Sequence, residues 1–462
     1  MLSPTLSLDP QDYSLLTDLY ELTMAACYVG EAVEEQPAAF ELFVRRLPSD
    51  YGYLVAMGLT QAVEYLQSLS FNQDQIEALK ACGVLNAAPA RFWELLHTLR
   101  FSGDLWAVPE GTLVFANEPL LRVEASLWQA QLVETYLLAT LNYQTLIATK
   151  AARMRDAAGP DAALLEFGTR RAFGPQAGMW AARAALAAGF NATSNVLAAL
   201  KLGRQPAGTM AHSLVMALAT LSGDEPHAFQ SFRRYFPKSA LLIDTYDPIQ
   251  GARTAAELMH SDAVEDGELG GVRIDSGDLA QLSREVNQIL PQGSPIFVSG
   301  DLDEYEIERL HQGKAPIAGY GVGTRLVTGE SINGVYKLVE INGIPVAKAS
   351  MSKATIPGRK QIYRSLEGDY LATATEAAPP ATRPLLQPVM RAGQLLQPLP
   401  DLNAIAQHTQ MGVEQLPLPV RRLQNPNRWP LQLTAELAQI RAQFHREDTL
   451  AQEVDPWAGL KA

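Results

Sequence analysis

Gly271-Val272-Arg273-Ile274-Asp275-Ser276-Gly277-Asp278 is the stretch whose reading decides the fold. It is a short apolar run that ends in acidic and small residues and opens into a helix-compatible segment. Alternation along a strand sends Arg273 and Asp275 to one side while Ile274 packs on the other. Runs of the same form occur at Leu164-Leu165-Glu166-Phe167-Gly168, Ala240-Leu241-Leu242-Ile243-Asp244, Ile296-Phe297-Val298-Ser299-Gly300 and Ile317-Ala318-Gly319-Tyr320-Gly321. Their spacing is roughly 20–30 residues or a multiple of it, the length of one βα unit. This rhythm predicts a (β/α) barrel or a doubly wound sheet, and both carry their ligand sites at the C-terminal ends of the strands.

Outward from this middle third the character changes. Residues 1–150 mix β-like runs, such as Ala38 to Val44 and Gly111 to Phe115, with helical patterns from about Asp18 and from about Leu127 to Met154. They read as an α+β domain, with residues 151–330 as the βα domain. Beyond these, residues 331–462 begin with Tyr336 to Ile341 and Ile344 to Lys348 around Asn342-Gly343, a strong hairpin signal. Dense prolines from about Ala377 to Pro430 predict an extended wrap packing back on the other domains, followed by a helix from about Leu433 to Arg446.

The chain has 462 residues, 47% of them hydrophobic, and a net charge of −13. Such a composition argues against disorder and against a protein devoted to wrapping nucleic acid, which needs clustered Lys and Arg. It says nothing against a local cationic pocket. Two cysteines, Cys27 and Cys82, without CxxC or Cys/His spacing, argue against zinc and a disulfide framework. No leader-like segment opens the sequence, and its most apolar stretch, around Leu214 to Leu221, is too short to span a bilayer. The expectation is a cytoplasmic protein with no membrane contact.

Several motifs could carry chemistry. Gly208-Thr209-Met210-Ala211-His212-Ser213 puts His212 at a helix start, where free N–H groups favour an anion. There His212 would be an acid/base or a phosphoryl acceptor, or simply a capping or packed histidine. Phe167-Gly168-Thr169-Arg170-Arg171 places two guanidinium forks after a strand, suited to pyrophosphate or carboxylate, although adjacent surface arginines are often just solvated. Asp275 and Asp278 could hold ribose hydroxyls or Mg²⁺, or Asp278 could be a plain helix cap. Ser299-Gly300-Asp301 and Gly321-Val322-Gly323-Thr324 resemble phosphate-cradling turns. Tyr20 reads as ordinary packing on a helix, and Lys348, Lys353 and Arg359 as a basic patch or a solvated edge.

Taken in order, Thr17 to Met24, Glu166 to Arg171, Gly208 to Ser213, Arg273 to Asp278, Gly321 to Thr324 and Gly334 to Val339 strongly resemble the nicotinate phosphoribosyltransferases, type II phosphoribosyltransferases of NAD biosynthesis. The resemblance implies an α/β fold: an irregular (β/α) barrel of the type II phosphoribosyltransferase kind with an N-terminal α+β domain and a β-rich C-terminal extension. It implies an enzyme that joins nicotinate to 5-phosphoribosyl 1-pyrophosphate with ATP hydrolysis, a ligase-type reaction in which His212 is transiently phosphorylated. It also implies that Tyr20, Thr209 and Arg273 bind nicotinate, with Arg273 facing the carboxylate, and that Thr324 contacts the sugar substrate. Charge and position add Arg171 for pyrophosphate, Asp275 as a catalytic group at the ribose and Asp278 for Mg²⁺. Phe167, Gly300 and Gly323 complete the expected substrate-binding set. The family's usual state implies a homodimer. Nicotinamide or quinolinate as the substrate, or a non-catalytic relative, are the competing readings.

Overall fold

The computed structural model describes residues 6, 8–261, 270–348 and 355–453, so Lys353 lies outside the described residues. The chain divides into two compact units, each built from separated segments. One comprises Met1–Tyr143, Ser331–Pro400 and Pro426–Ala462, and the other Gln144–Glu330 and Asp401–Asn425. Among the described residues no helix is long and apolar enough to cross a membrane.

The first unit is organised by a seven-stranded sheet in the order Ile344–Pro345, Gly334–Ile341, Pro37–Val44, Pro119–Ser126, Asp104–Ala107, Gln387–Arg391, Gln394–Leu395. Every pairing within it is antiparallel. The interior strand Pro37–Val44, third in this order, is buried at every position but the first, so both of its faces are covered. At the hairpin, Ile341 pairs with Ile344 and the loop residues Asn342 and Gly343 take φ of +50° and +75°. Both central residues at positive φ is the geometry that Asn-Gly favours in a two-residue turn.

Buried charges tie the sheet to the C-terminal strands. Glu41 and Lys360, 0% and 2% exposed, meet at 2.8 Å. Arg122 lies 3.9 Å from Glu41 and bonds Glu124 at 2.7 Å. Arg359 joins Glu124 and Glu340 at 2.9 and 2.8 Å, so it is a paired residue and not part of a free basic patch.

The second unit is organised by six parallel strands in the order Ala192–Thr193, Ala163–Glu166, Gly319–Val322, Ile296–Ser299, Val272–Ile274, Leu241–Leu242. Five of these are the apolar runs seen in the sequence. Ala192–Thr193 has only two residues, too few to leave a periodic trace. The pairing runs from one edge to the other without closing, so the mixed α/β architecture is established while a closed barrel is not.

One expectation needs correction. Residues 377–430 are not one extended wrap, because Leu402–Gln415 is a regular helix capped by the Asp401 side chain. Prolines 398 and 400 stop just before it and Pro417 just after, leaving a proline-free window that a helix can occupy.

Candidate active site

In the second unit the strand ends gather the residues singled out by the motifs. Arg273 lies in the middle of Val272–Ile274, and its side chain is only 12% exposed. Its guanidinium donates from Nη2 to the Met210 carbonyl at 2.6 Å, and from Nη1 to Ser299 Oγ at 3.1 Å and Asp275 Oδ1 at 3.3 Å. The Ser299 hydroxyl also donates to Asp275 Oδ1. Burial pulls the Arg273 pKa below its usual value, with Asp275 and Asp244 opposing the shift. The guanidinium still stays charged.

Asp244, just beyond Leu241–Leu242, accepts from the Asp275 N–H at 2.9 Å and from the Ser276 hydroxyl at 2.7 Å, both through Oδ2. Its Oδ1 and the Nε of Arg273 are buried without a hydrogen-bond partner. Both atoms are free to take a further partner.

His212 is the first residue of the helix His212–Ser222, whose start has no side-chain cap. Nδ1 lies 3.1 Å from the Thr245 hydroxyl, and Nε2 lies 3.8 Å from Asp275 Oδ2. The imidazole and the Asp275 side chain are 39% and 35% exposed, so solvent or a ligand reaches both. An uncapped helix start leaves N–H groups available to an anion. Thr209, half-buried, brings its hydroxyl to 3.5 Å from the same Met210 carbonyl that holds Arg273.

The remaining residues stand at neighbouring strand ends. Gly300 has φ +96°, and a Cβ there would overlap the Asp275 carbonyl, so only glycine permits this close approach. Phe167 follows Ala163–Glu166 and donates its N–H to the Val322 carbonyl at 2.8 Å. Its ring lies over Gly321, where a Cβ would run into it. Arg170 and Arg171 are exposed on the short 3-10 turn Thr169–Arg171. Gly323 precedes the single-turn helix Thr324–Val327, whose first residue is exposed. Asp278 is the N-cap of Leu279–Ile289 and accepts two helix N–H groups through Oδ1.

Tyr20 belongs to the first unit, on the helix Leu19–Gly30, and is 44% exposed. Partial burial raises the pKa of its phenol, and the carboxylates of Glu134 and Glu21 raise it further, which keeps it protonated.

Thr245 stands in none of the motifs, Asp244 is marked by sequence only as a strand end, and Ser299, expected in a phosphate-cradling turn, instead bonds Arg273 and Asp275. A threonine after a strand has no signature of its own, and only the fold sets it against His212.

Comparisons with known proteins agree along the chain. The model of the nicotinate phosphoribosyltransferase family matches residues 162–372, its N-terminal domain residues 15–142 and its C-terminal domain residues 335–441. A nicotinate phosphoribosyltransferase of Mycobacterium tuberculosis is 37% identical over 446 residues, covering 93% of this chain and 94% of that protein. One from Bacillus subtilis is 37% identical over 465 residues, covering 92% and 93%. The crystal structure of human nicotinic acid phosphoribosyltransferase superposes with a TM-score of 0.81 at 30% identity, covering 92% of this chain and 99% of that one. A nicotinate-nucleotide pyrophosphorylase from Pyrococcus furiosus, at 23% identity and a TM-score of 0.72, shares the fold. With such relatives matching nearly end to end, this chain belongs to the nicotinate phosphoribosyltransferase family.

Proposed function

We propose that this protein forms nicotinate mononucleotide and pyrophosphate from nicotinate and 5-phosphoribosyl 1-pyrophosphate, in the salvage of nicotinate for NAD biosynthesis. The observation that carries the reading is the convergence of Arg273, Asp275, Asp244 and His212 at one set of parallel strand ends, with two buried polar atoms left unsatisfied.

The chemistry follows from charge. The lone pair of the pyridine nitrogen attacks the anomeric carbon, a C–N bond forms as the C–O bond to pyrophosphate breaks, and no proton need be removed. The sugar passes through oxocarbenium character while negative charge grows on the leaving group. Arg273 holds the nicotinate carboxylate, supported by Thr209, and the Thr17 to Met24 motif assigns a nicotinate contact to Tyr20, a neutral phenol. Asp275 lies where a carboxylate can bind ribose hydroxyls and face a developing cation. Arg171, Thr324 and the backbone at Gly300 and Gly323 take the phosphates, and Phe167 lines the same strand ends.

A divalent ion fits this donor set only in part. No cluster of three or more His, Cys, Asp or Glu able to hold a metal occurs among the described residues. Mg²⁺ in phosphate sites commonly uses one or two carboxylates plus the substrate's oxygens. Asp275 and the unsatisfied Oδ1 of Asp244 suit that role, while Asp278 spends Oδ1 on its helix cap and would reach an ion through its other oxygen or water. When bound, Mg²⁺ neutralises charge on pyrophosphate.

ATP enters through His212. Transfer of the γ-phosphoryl group to the imidazole releases ADP, and later hydrolysis of the phosphohistidine releases phosphate, which makes the overall reaction ligase-type. The uncapped helix start supports this assignment, since its N–H groups stabilise the added charge. The strand ends fit an irregular barrel of the type II kind. Free, exposed Cys27 and Cys82 fit a reducing cytoplasm. Exposed Val196, Leu197 and Leu200 on one helix and Met216 and Leu221 on the next favour a homodimer that covers them.

The deciding experiment measures nicotinate mononucleotide formation with and without ATP, alongside quinolinate and nicotinamide, and looks for acid-labile phosphate on His212. ATP-stimulated product from nicotinate alone is the expected result. Turnover of quinolinate or nicotinamide in its place, or nicotinate binding without turnover, would overturn the reading.

A further inference from the structure

Glu166 ends the strand Ala163–Glu166 with its side chain 0% exposed. Its partners are an amide and a hydroxyl: Gly168 N–H donates to Oε1, and the Thr193 hydroxyl donates to Oε2. Burial pushes its carboxyl up, and the two hydrogen bonds oppose the shift. A buried carboxylate whose described partners include no cation is an expensive way to end a strand.

One oxygen holds the turn that follows and the other holds the adjacent strand. Gly168, gripped through its N–H, accepts in turn from Arg171 N–H at 2.7 Å and Ala172 N–H at 3.1 Å, which closes the 3-10 turn bearing Arg170 and Arg171. Thr193 belongs to the adjacent strand and accepts from Asn195 N–H at 2.9 Å, and Asn195 caps the helix Val196–Lys201. Phe167, between Glu166 and Gly168, is tied to Val322 of Gly319–Val322, one residue before Gly323 and Thr324.

We propose that Glu166 is a positioning residue. Its carboxylate clasps the Phe167–Arg171 turn to Thr193, so that Arg170 and Arg171 are presented in register with the Gly323-Thr324 turn to the phosphates of the sugar substrate. The inference rests on the phosphoribosyl transfer proposed above. Gln can reproduce the clasp, its oxygen accepting from Gly168 and its amide donating to Thr193 Oγ1, whereas Ala cannot.

The test is steady-state kinetics of the full chain with nicotinate and 5-phosphoribosyl 1-pyrophosphate, together with amide hydrogen exchange at Gly168 and Arg171. Glu166→Ala should raise KM for the sugar substrate about tenfold or more and speed exchange at both amides, since small misplacements of binding groups cost that much. Thr193→Val should move both readouts the same way by less, and Glu166→Gln should leave KM within about threefold of the unmodified protein, its two hydrogen bonds being retained. A purely structural role would lower the unfolding midpoint without selectively raising this KM. An unchanged KM in Glu166→Ala, or a Glu166→Gln variant as impaired as Glu166→Ala, would overturn the proposal. Should Glu166→Ala fail to fold, an unchanged KM and unchanged exchange in Thr193→Val would overturn it equally. If the unmodified protein makes no nicotinate mononucleotide, the functional reading fails separately, while slower exchange at Gly168 in the unmodified protein than in Thr193→Val would still establish the clasp.

Discussion

Both units carry a cluster of charges around an arginine, and the two clusters are built to opposite ends. Around Arg122 in the first unit, Glu41, Lys360, Glu124, Arg359 and Glu340 alternate in sign within contact distance, and the Glu41–Lys360 pair at its centre is sealed from water. Around Arg273 in the second unit, Asp275 and His212 stay more than a third exposed. The first network sets opposite charges against one another out of water, whereas the second leaves a carboxylate and an imidazole within reach of solvent or a ligand. Buried charge of the first kind ties strands together, and exposed charge of the second kind is what a ligand can reach.

This contrast can be broken by experiment. Lys360→Met removes the nearer of the two cations at Glu41, leaving only Arg122 at 3.9 Å, and should cost about 3–5 kcal/mol in denaturant unfolding, with little change in KM for the folded fraction. An undiminished unfolding midpoint would show that the first cluster is not structural. Arg273→Ala should do the reverse, lowering kcat/KM for nicotinate by about 10³, roughly 4 kcal/mol, while the unfolding midpoint moves little.

Glu21 sharpens the contrast further, being a buried group in the first unit whose acidity shifts with folding. Burial raises its pKa to about 7, although hydrogen bonds from Thr135 and Thr17 pull it down. An acid with a raised folded pKa binds its proton more tightly when folded. Its contribution is therefore complete below the unfolded value, about 4.3, and is lost as pH rises through about 7. Stability should fall by about 3–4 kcal/mol across that window, and Glu21→Gln should flatten the profile measured by denaturation at several pH values. The smallest expected effect is at Thr245. Thr245→Val removes the partner of His212 Nδ1 and should slow ATP-coupled turnover about tenfold, roughly 1.4 kcal/mol, leaving ATP-independent transfer in place. Equal losses in both assays would deny Thr245 a role specific to His212.

Much of the second unit was legible beforehand, because a parallel strand covered on both faces must be apolar and its end must be polar. Val272–Ile274 and Ile296–Ser299 announce themselves in this way, with Arg273 and Ser299 standing out against apolar neighbours. Ala192–Thr193 is too short to announce anything, and Leu402–Gln415 is concealed by the prolines around it. In the first unit, Glu41, Arg122 and Lys360 come from segments far apart in the chain. No local pattern reveals that they meet.

The sequence by itself determined the βα rhythm, the Asn342-Gly343 hairpin and the ordered motifs that mark the family, since each depends on residues adjacent in the chain. Only the tertiary structure decided that Asp244 orients Asp275, that Thr245 meets His212, that Glu166 reaches across to Thr193 and that Asp278 serves as a cap. The physical reason is that periodicity records which face of an element is buried, whereas a hydrogen bond across strands depends on their order and register, which emerge only when the sheet assembles.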